Sequence, residues 1–316
     1  MKAVTFGEML LRLSPPGEER LLDSPALETC FGGAEANVAV GLVHFGVPCD
    51  YVTRLPENPL GDAALAELQR EGVGTAHVLR GGNRLGLYFV EPGADLRAMR
   101  VVYDRAGSSC AQLEPSLLDW PAILDGAAWF HSTGITPALG DGPRAALAQA
   151  VACARAQNLS VSLDLNYRAA LWQGGGRDPV PVMRPLAAQA DLLIGNGDAI
   201  KTMLGMEAEP ETLAKQLGAT CRYVAITRRE HLGPKDQRWS AVLYDVAARR
   251  VHTSRRHDVR VVDRVGGGDC FAAALIAQLL ARTEAALALE FAVAASALKV
   301  TIPGDFSRLR VMDVAL

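Results

Sequence analysis

Asp263-Arg264-Val265-Gly266-Gly267-Gly268-Asp269-Cys270-Phe271 is the stretch on which the reading of this sequence turns. It follows a strand-like run, Val259 to Val262, and opens into an apolar segment, Phe271 to Leu280, with the length and composition of a buried helix. Three successive glycines permit positive φ and the close approach of another backbone or a ligand. N–H groups gathered at a helix start form a nest for an anion. Asp269 would sit beside that nest, able to accept a proton from an attacking hydroxyl. A plainer account fits the same residues: Asp269 as an N-cap, with the glycines as the turn before it. The local pattern leaves both readings open. In the catalytic reading, nearby positive charge and the helix dipole keep Asp269 ionised. Its low basicity is then tolerable, because phosphoryl transfer depends more on positioning and charge stabilisation than on proton removal.

Outward from this stretch the chain alternates. Residues 3–6 are a first buried strand ending at Gly7; Gly32-Gly33 is a turn before a helix from Ala34 to Phe45; Tyr51 to Thr53 is a strand and Gly61 to Gly72 a helix. From residue 115 onward strands at Ala127–Phe130, Val161–Leu165, Asp191–Ile194 and Tyr223–Thr227 are separated by helices at Pro143–Gln157, around 180–190 and at Ala199–Leu204. Val242–Tyr244 and Val259–Val262 are further strands, and two helices, Asp269–Arg282 and Ala285–Lys299, close the chain. Such alternation predicts a mostly parallel sheet with helices on both faces. Residues 84–105 stand apart. Leu87–Glu91 and Arg100–Arg105 read as a β-hairpin around the turn Pro92-Gly93-Ala94-Asp95, with Tyr103 and Arg105 on one face. Gly174-Gly175-Gly176 reads as a surface loop.

The 316 residues carry a formal net charge of -3, with 49% hydrophobic and 21% charged residues, which is ordinary globular composition and no footprint for nucleic acid. The basic cluster Arg249, Arg250, Arg255 and Arg256 is short and interrupted, as on a solvated strand edge. Six widely spaced cysteines contain no Cys-x-x-Cys pair, so reduced thiols in a cytoplasmic protein are expected rather than a disulfide framework or zinc site. Glu8 interrupts the N-terminus before any signal-peptide apolar region, and no apolar run is long enough to span a membrane.

Two negative findings narrow the chemistry. No Gly-Lys dipeptide occurs, which excludes a P-loop, and no Gly-x-Gly-x-x-Gly follows the first strand, which weakens a dinucleotide oxidoreductase. Asp164-Leu165-Asn166-Tyr167-Arg168 lies at the C-terminal end of a predicted strand, where open α/β sheets place ligands; Asn, Asp and Arg after a strand are more often loop capping, and the stretch alone is a weak signal. Gly195-Asn196-Gly197-Asp198 follows another strand and also reads as a plain turn.

Gly32-Gly33-Ala34-Glu35-Ala36-Asn37-Val38-Ala39, continuing to Gly46, and Asp263 through Phe271 together resemble the two motif regions of the ribokinase-like (PfkB) carbohydrate kinases. Within that family the chain is most similar to 2-keto-3-deoxygluconate kinases, on Gly86-Leu87-Tyr88-Phe89 with Glu91, Val102-Tyr103-Asp104-Arg105, Asp164 to Arg168 with Leu171-Trp172, and Ile302-Pro303-Gly304-Asp305-Phe306. The resemblance implies an α/β, ribokinase-like fold over residues 1–316, a mostly parallel central sheet flanked by helices with a small β-sheet lid to which 84–105 contributes. It implies ATP and Mg²⁺ as cofactors, a small sugar acid as substrate, and a homodimer through the lid. It also implies roles: Asp269 as base; Gly266, Gly267 and Gly268 as anion hole; Gly33, Tyr88, Tyr103, Arg105, Ile135, Arg168 and Asp305 around the sugar; Asn166, Arg168 and Thr227 at ATP. Arginine pairs carboxylates with planar, bidentate bonds, and Arg105 and Arg168 suit a sugar acid on that ground. A kinase for fructose, ribose or a nucleoside, or a non-catalytic sugar binder, is the alternative.

The sequence departs from the family pattern in places. The Asn-x-x-Glu motif that helps organise hydrated Mg²⁺ is here Asn196-Gly197-Asp198-Ala199, leaving Asp198 as the candidate. Thr227-Arg228-Arg229-Glu230-His231 is unusually basic for a nucleotide loop, and Val300 stands where relatives tend to carry histidine.

Overall fold

Short apolar strands that are buried on both faces need helices above and below them, and that requirement organises this chain. The computed structural model describes residues 1–94, 97–174 and 176–314. Its strands are β1 Lys2–Phe6, β2 Leu10–Ser14, β3 Glu28–Gly32, β4 Cys49–Leu55, β5 Val78–Arg80, β6 Gly86–Glu91, β7 Arg100–Asp104, β8 Ala127–Thr133, β9 Ser160–Asp164, β10 Leu192–Gly195, β11 Tyr223–His231, β12 Asp236–Asp245, β13 Arg250–Thr253 and β14 His257–Arg260. The helices are α1 Ala34–His44, α2 Pro59–Arg70, α3 Trp120–Ile123, α4 Asp141–Ala156, α5 Ala169–Gly174, α6 Val180–Ala187, α7 Gly197–Leu204, α8 Pro210–Leu217, α9 Gly267–Leu280 and α10 Ala285–Lys299.

The main sheet runs β13-β12-β11-β10-β9-β8-β1-β4-β5, with β14 also pairing β12. Every pairing from β11 to β5 is parallel, while β12 to β14 add an antiparallel edge. Alternate residues feed two cores. Ala3, Tyr51, Leu192 and Ile194 join α1, α9 and α10 on one face; Val4, Phe6, Val52 and Leu193 join α4, α6 and α7 on the other. Strand order reverses between β1 and β8, so the crevice outside their C-terminal ends is the place where such sheets bind ligands.

A second sheet, β3-β2-β6-β7, stands apart from the first. The hairpin expected at 84–105 is there as antiparallel β6 and β7. Asp95 of its expected turn lies outside the described residues, as does Gly175 of the expected glycine loop. The other two strands of this lid were not foreseen. In β2 the buried residues are Leu10, Arg12 and Ser14, while Leu11 and Leu13 are half-buried, so hydropathy runs against the alternation that marks a strand.

Other expectations shift by a few residues. α2 begins at Pro59 behind an Asn58 cap, β11 and β12 run longer than predicted, and α9 begins at Gly267 rather than Asp269. All six cysteines are free, and Arg249, Arg250, Arg255 and Arg256 are exposed around the edge strand β13. Among the described residues no helix is long and apolar enough to cross a membrane.

Candidate active site

The glycine stretch delivers a bare helix start. Gly266 is the N-cap of α9 at φ 80, and Asp269 is the third residue of its first turn. Asp269 is therefore no N-cap, and the plainer reading of it falls. Each glycine answers a different constraint. A Cβ on Gly266 would lie 2.1 Å from the Asp305 carbonyl oxygen, and one on Gly267 would lie 2.7 Å from Val300 Cγ1. A Cβ on Gly268 would meet nothing, because that residue faces open space. The first bond into the helix is donated by the Cys270 N–H to Gly266, 2.8 Å. The N–H groups of Gly266, Gly267, Gly268 and Asp269 consequently have no acceptor among the described residues, an arrangement that suits an anion.

Asp269 itself is buried. Asn37 Nδ2 donates to its Oδ2 at 2.6 Å and Asn166 Nδ2 to its Oδ1 at 3.5 Å. Burial pushes its pKa up to about 6, against the Asn37 hydrogen bond and the charge of Arg168, which pull it down. The expectation of low basicity is thus corrected: desolvation outweighs the positive surroundings and leaves a moderately basic carboxylate. Asp164, at the end of β9, is raised to about 7 by burial and by the charge of Asp269.

The two glycine motifs meet here. Gly33 caps α1 at φ 143, where a Cβ would strike the Glu8 carbonyl oxygen at 2.2 Å, and the first turn of α1 then carries Asn37 to Asp269. Next to it, Glu35 is buried and accepts bonds from the Thr133 N–H, Thr133 Oγ1 and Thr136 Oγ1, tying α1 to the end of β8. Ile135 is buried in the same turn.

The lid reaches the same crevice. Tyr88 on β6 donates its hydroxyl to Asp305 Oδ2, and Tyr103 on β7 stacks on Tyr88 with ring centroids 5.9 Å apart. Arg105 lies over Tyr103, 5.7 Å from the ring centroid. Its Nε and one N–H of Nη2 point at the buried carboxylate of Glu8, which leaves Nη1 and the second Nη2 N–H for a ligand. Arg105 is thus anchored by Glu8 on one side of its guanidinium and keeps the Nη1/Nη2 end for a second carboxylate. Arg12 on β2 donates Nη1 to Asp263 Oδ2 at 2.7 Å and to Asp305 Oδ1 at 3.0 Å, so a lid residue binds both ends of the glycine-loop neighbourhood.

On the other side of the glycine loop three arginines converge. Partial burial, Arg264 and Arg168 together lower the pKa of Arg229, and none of the three forms an ion pair among the described residues. Uncompensated positive charge beside four unpartnered amides fits a polyphosphate. Asn166 sits at φ 37 after β9, and Thr227 on β11 donates Oγ1 to the Gly195 carbonyl at 3.4 Å. Asp198 is exposed in the first turn of α7, while Ala199, where the family's acid would stand, is buried. Among the described residues no group of three or more His, Cys, Asp or Glu side chains could hold a metal by itself. A divalent ion here would depend on phosphate oxygens and water for most of its shell.

Residues 1–309 match the family described as pfkB family carbohydrate kinase. The chain is 32% identical over 307 residues to a 2-dehydro-3-deoxygalactonokinase of Haloferax volcanii, covering 96% of this chain and 92% of that one. It is 29% identical over 321 residues to a 2-dehydro-3-deoxygluconokinase of Thermoproteus tenax, covering 96% and 89%. The crystal structure of 2-dehydro-3-deoxygluconokinase from Thermotoga maritima superposes with a TM-score of 0.94 at 42% identity, over 99% of this chain and 98% of that one.

Proposed function

We infer that this chain, which belongs to the pfkB family of carbohydrate kinases, is an ATP-dependent sugar-acid kinase. Its fold is ribokinase-like, and the three relatives named above are kinases of 2-dehydro-3-deoxy sugar acids. Our finer reading is transfer of the γ-phosphoryl group of ATP to the terminal hydroxyl of 2-keto-3-deoxygluconate or a close analogue.

One observation carries this reading: a buried carboxylate with a pKa of about 6 stands in the same helical turn as amides that have no acceptor. Asp269 accepts the proton of the attacking hydroxyl as its oxygen bonds to phosphorus and the bridging oxygen departs with ADP. The N–H groups of Gly266, Gly267 and Gly268 meet the charge on the transferring group. Gly33, Tyr88, Tyr103, Arg105 through its Nη1/Nη2 end, Ile135, Arg168 and Asp305 surround the sugar acid. Asn166, Arg168 and Thr227 face the nucleotide, with Arg229 and Arg264 adding charge along its phosphates. Mg²⁺ when bound would neutralise phosphate charge, and Asp198, one position before the family's acid, is the side chain that would meet its water shell. The lid closes the site from above, excluding water that would otherwise hydrolyse ATP. Pairing of lids between two copies belongs to the same reading; Val101 and Val102 stand exposed on the edge strand β7.

Coupled ADP detection against 2-keto-3-deoxygluconate, 2-keto-3-deoxygalactonate, fructose, ribose and a nucleoside tests it. We expect kcat/KM for one or both keto-deoxy acids to exceed that for every neutral substrate by about 100-fold, the worth of a charge-assisted bond to the carboxylate. A neutral sugar that outcompetes both acids would overturn the assignment.

A further inference from the structure

Lys299 takes no part in the chemistry described so far, yet its side chain is fully buried. Its ammonium donates to three backbone carbonyls: Val265 at 3.1 Å, Ile302 at 3.2 Å and Gly304 at 2.7 Å. An ammonium has three donors and no acceptor, so three carbonyls use it fully; a neutral amine would leave one of them unbonded. The acceptors are not scattered. Val265 directly precedes Gly266, which caps α9, and Gly304 directly precedes Asp305. The Gly304 N–H is in turn held by Asp263 Oδ2 at 3.0 Å, and Gly266 packs against the Asp305 carbonyl. One buried positive charge therefore ties the glycine loop to the loop that presents Asp305. Burial lowers the Lys299 pKa, while Asp263 and Asp305 oppose that change. An oxygen-lined cage of backbone carbonyls beside a carboxylate is also the chemistry by which proteins hold a bare monovalent cation.

We propose that Lys299 is a positioning residue that serves as a tethered monovalent cation, fixing the anion-binding loop and the Asp305 loop in mutual register. Turnover by the native chain is then independent of K⁺ or NH₄⁺, and shortening Lys299 opens a cage that either ion refills.

The turnover arm of the test rests on the sugar-acid kinase reading; the melting arm does not, and stays readable without substrate. Native protein is compared in chloride salts of Na⁺, K⁺, NH₄⁺ and tetramethylammonium at matched ionic strength, and both kcat and melting temperature should be the same in all four. Lys299→Ala in tetramethylammonium should lose about 100-fold in kcat, as for a misplaced catalytic loop. K⁺ or NH₄⁺ should restore most of that kcat and raise the melting temperature, as binding to the folded state requires. Lys299→Met, whose apolar chain fills the space, should be impaired and rescued by none of the ions. A native chain that requires K⁺, a Lys299→Ala protein indifferent to all four ions, or equal rescue of both variants would each overturn the proposal. If Lys299→Ala fails to fold, the native series and Lys299→Met decide it.

Discussion

Gly268-Asp269 and Gly197-Asp198 look alike along the chain: a glycine and an aspartate in the first turn of a helix that follows a strand. Their surroundings differ in every respect that matters to reactivity. Asp269 is buried, held by Asn37 from 232 residues away and by Asn166 from 103 residues away. Asp198 is exposed, and its carboxylate takes no hydrogen bond or ion pair among the described residues. The helix cap also differs, since Asn196 closes its own turn by accepting the Ala199 N–H at 2.8 Å, whereas Gly266 has no side chain and leaves its turn open. A helix start thus supplies a carboxylate and some unpaired amides cheaply. Distant residues that desolvate and orient the Asp269 carboxylate raise its basicity.

The most severe way to break the comparison is Asp269→Asn. It should lower kcat by about 10² to 10⁴, the usual worth of a positioned general base, with calorimetric sugar binding little changed. Near-native turnover would remove Asp269 from the mechanism. The native enzyme supplies a companion check. Asp269 must be ionised to accept a proton, so kcat/KM should fall as pH drops through its pKa of about 6 in the free protein and level off above it. Next in size is Arg12→Met. It leaves Asp263 and Asp305 buried without their guanidinium, and should cost about 3–5 kcal/mol in urea unfolding. A loss under 1 kcal/mol would mean that Lys299 alone suffices for both acids. Asn37→Ala is smaller. Losing a hydrogen bond to a charged group is worth about 1.5–3 kcal/mol, so turnover at pH 6 should drop about tenfold or more. Because Asn37 lowers the Asp269 pKa, the acid limb of the pH profile should also move upward. An unmoved limb would assign Asn37 to packing alone.

Much of the main sheet was legible because its strands are short apolar runs between helices of recognisable length and composition, and α10 was predicted with both its ends correct. The lid was only half legible. β6 and β7 carry Val, Tyr and Phe in quantity, but β2 buries Arg12 between two half-exposed leucines, and no reading of hydropathy finds a strand whose inner face is cationic. The lone charge in Leu10-Leu11-Arg12-Leu13 was the available signal. At the site, the glycines and Asp269 announce themselves through backbone constraints that are local. Asn37 was inside a recognised motif, yet its partner lies at the far end of the chain. Lys299 gave no signal beyond its place at the end of the last helix, since nothing local says that three carbonyls enclose it. The basicity of Asp269 was misjudged for a related reason: sequence shows nearby charge but not desolvation, and desolvation is the larger cause here.

Asp198→Asn carries the smallest expected effect and sharpens the comparison from the other side. An exposed carboxylate at a helix start interacts with a nearby cation by about 0.3–1 kcal/mol. If Asp198 steadies the water around Mg²⁺ in place of the family's acid, the variant should need about two- to fivefold more Mg²⁺ for half-maximal turnover, with kcat at saturating Mg²⁺ unchanged. Ala199→Glu offers the converse experiment, but Ala199 is buried under the Asn196 cap, so a longer acid there would have to displace packing before reaching the cleft. Asp198→Asn avoids that confusion because its side chain already stands in water. An unchanged Mg²⁺ titration would make Asp198 a plain solvated helix-start acid. The contrast with Asp269 would then be complete: one carboxylate drawn into the chemistry by residues far along the chain, the other left out of it because none arrive.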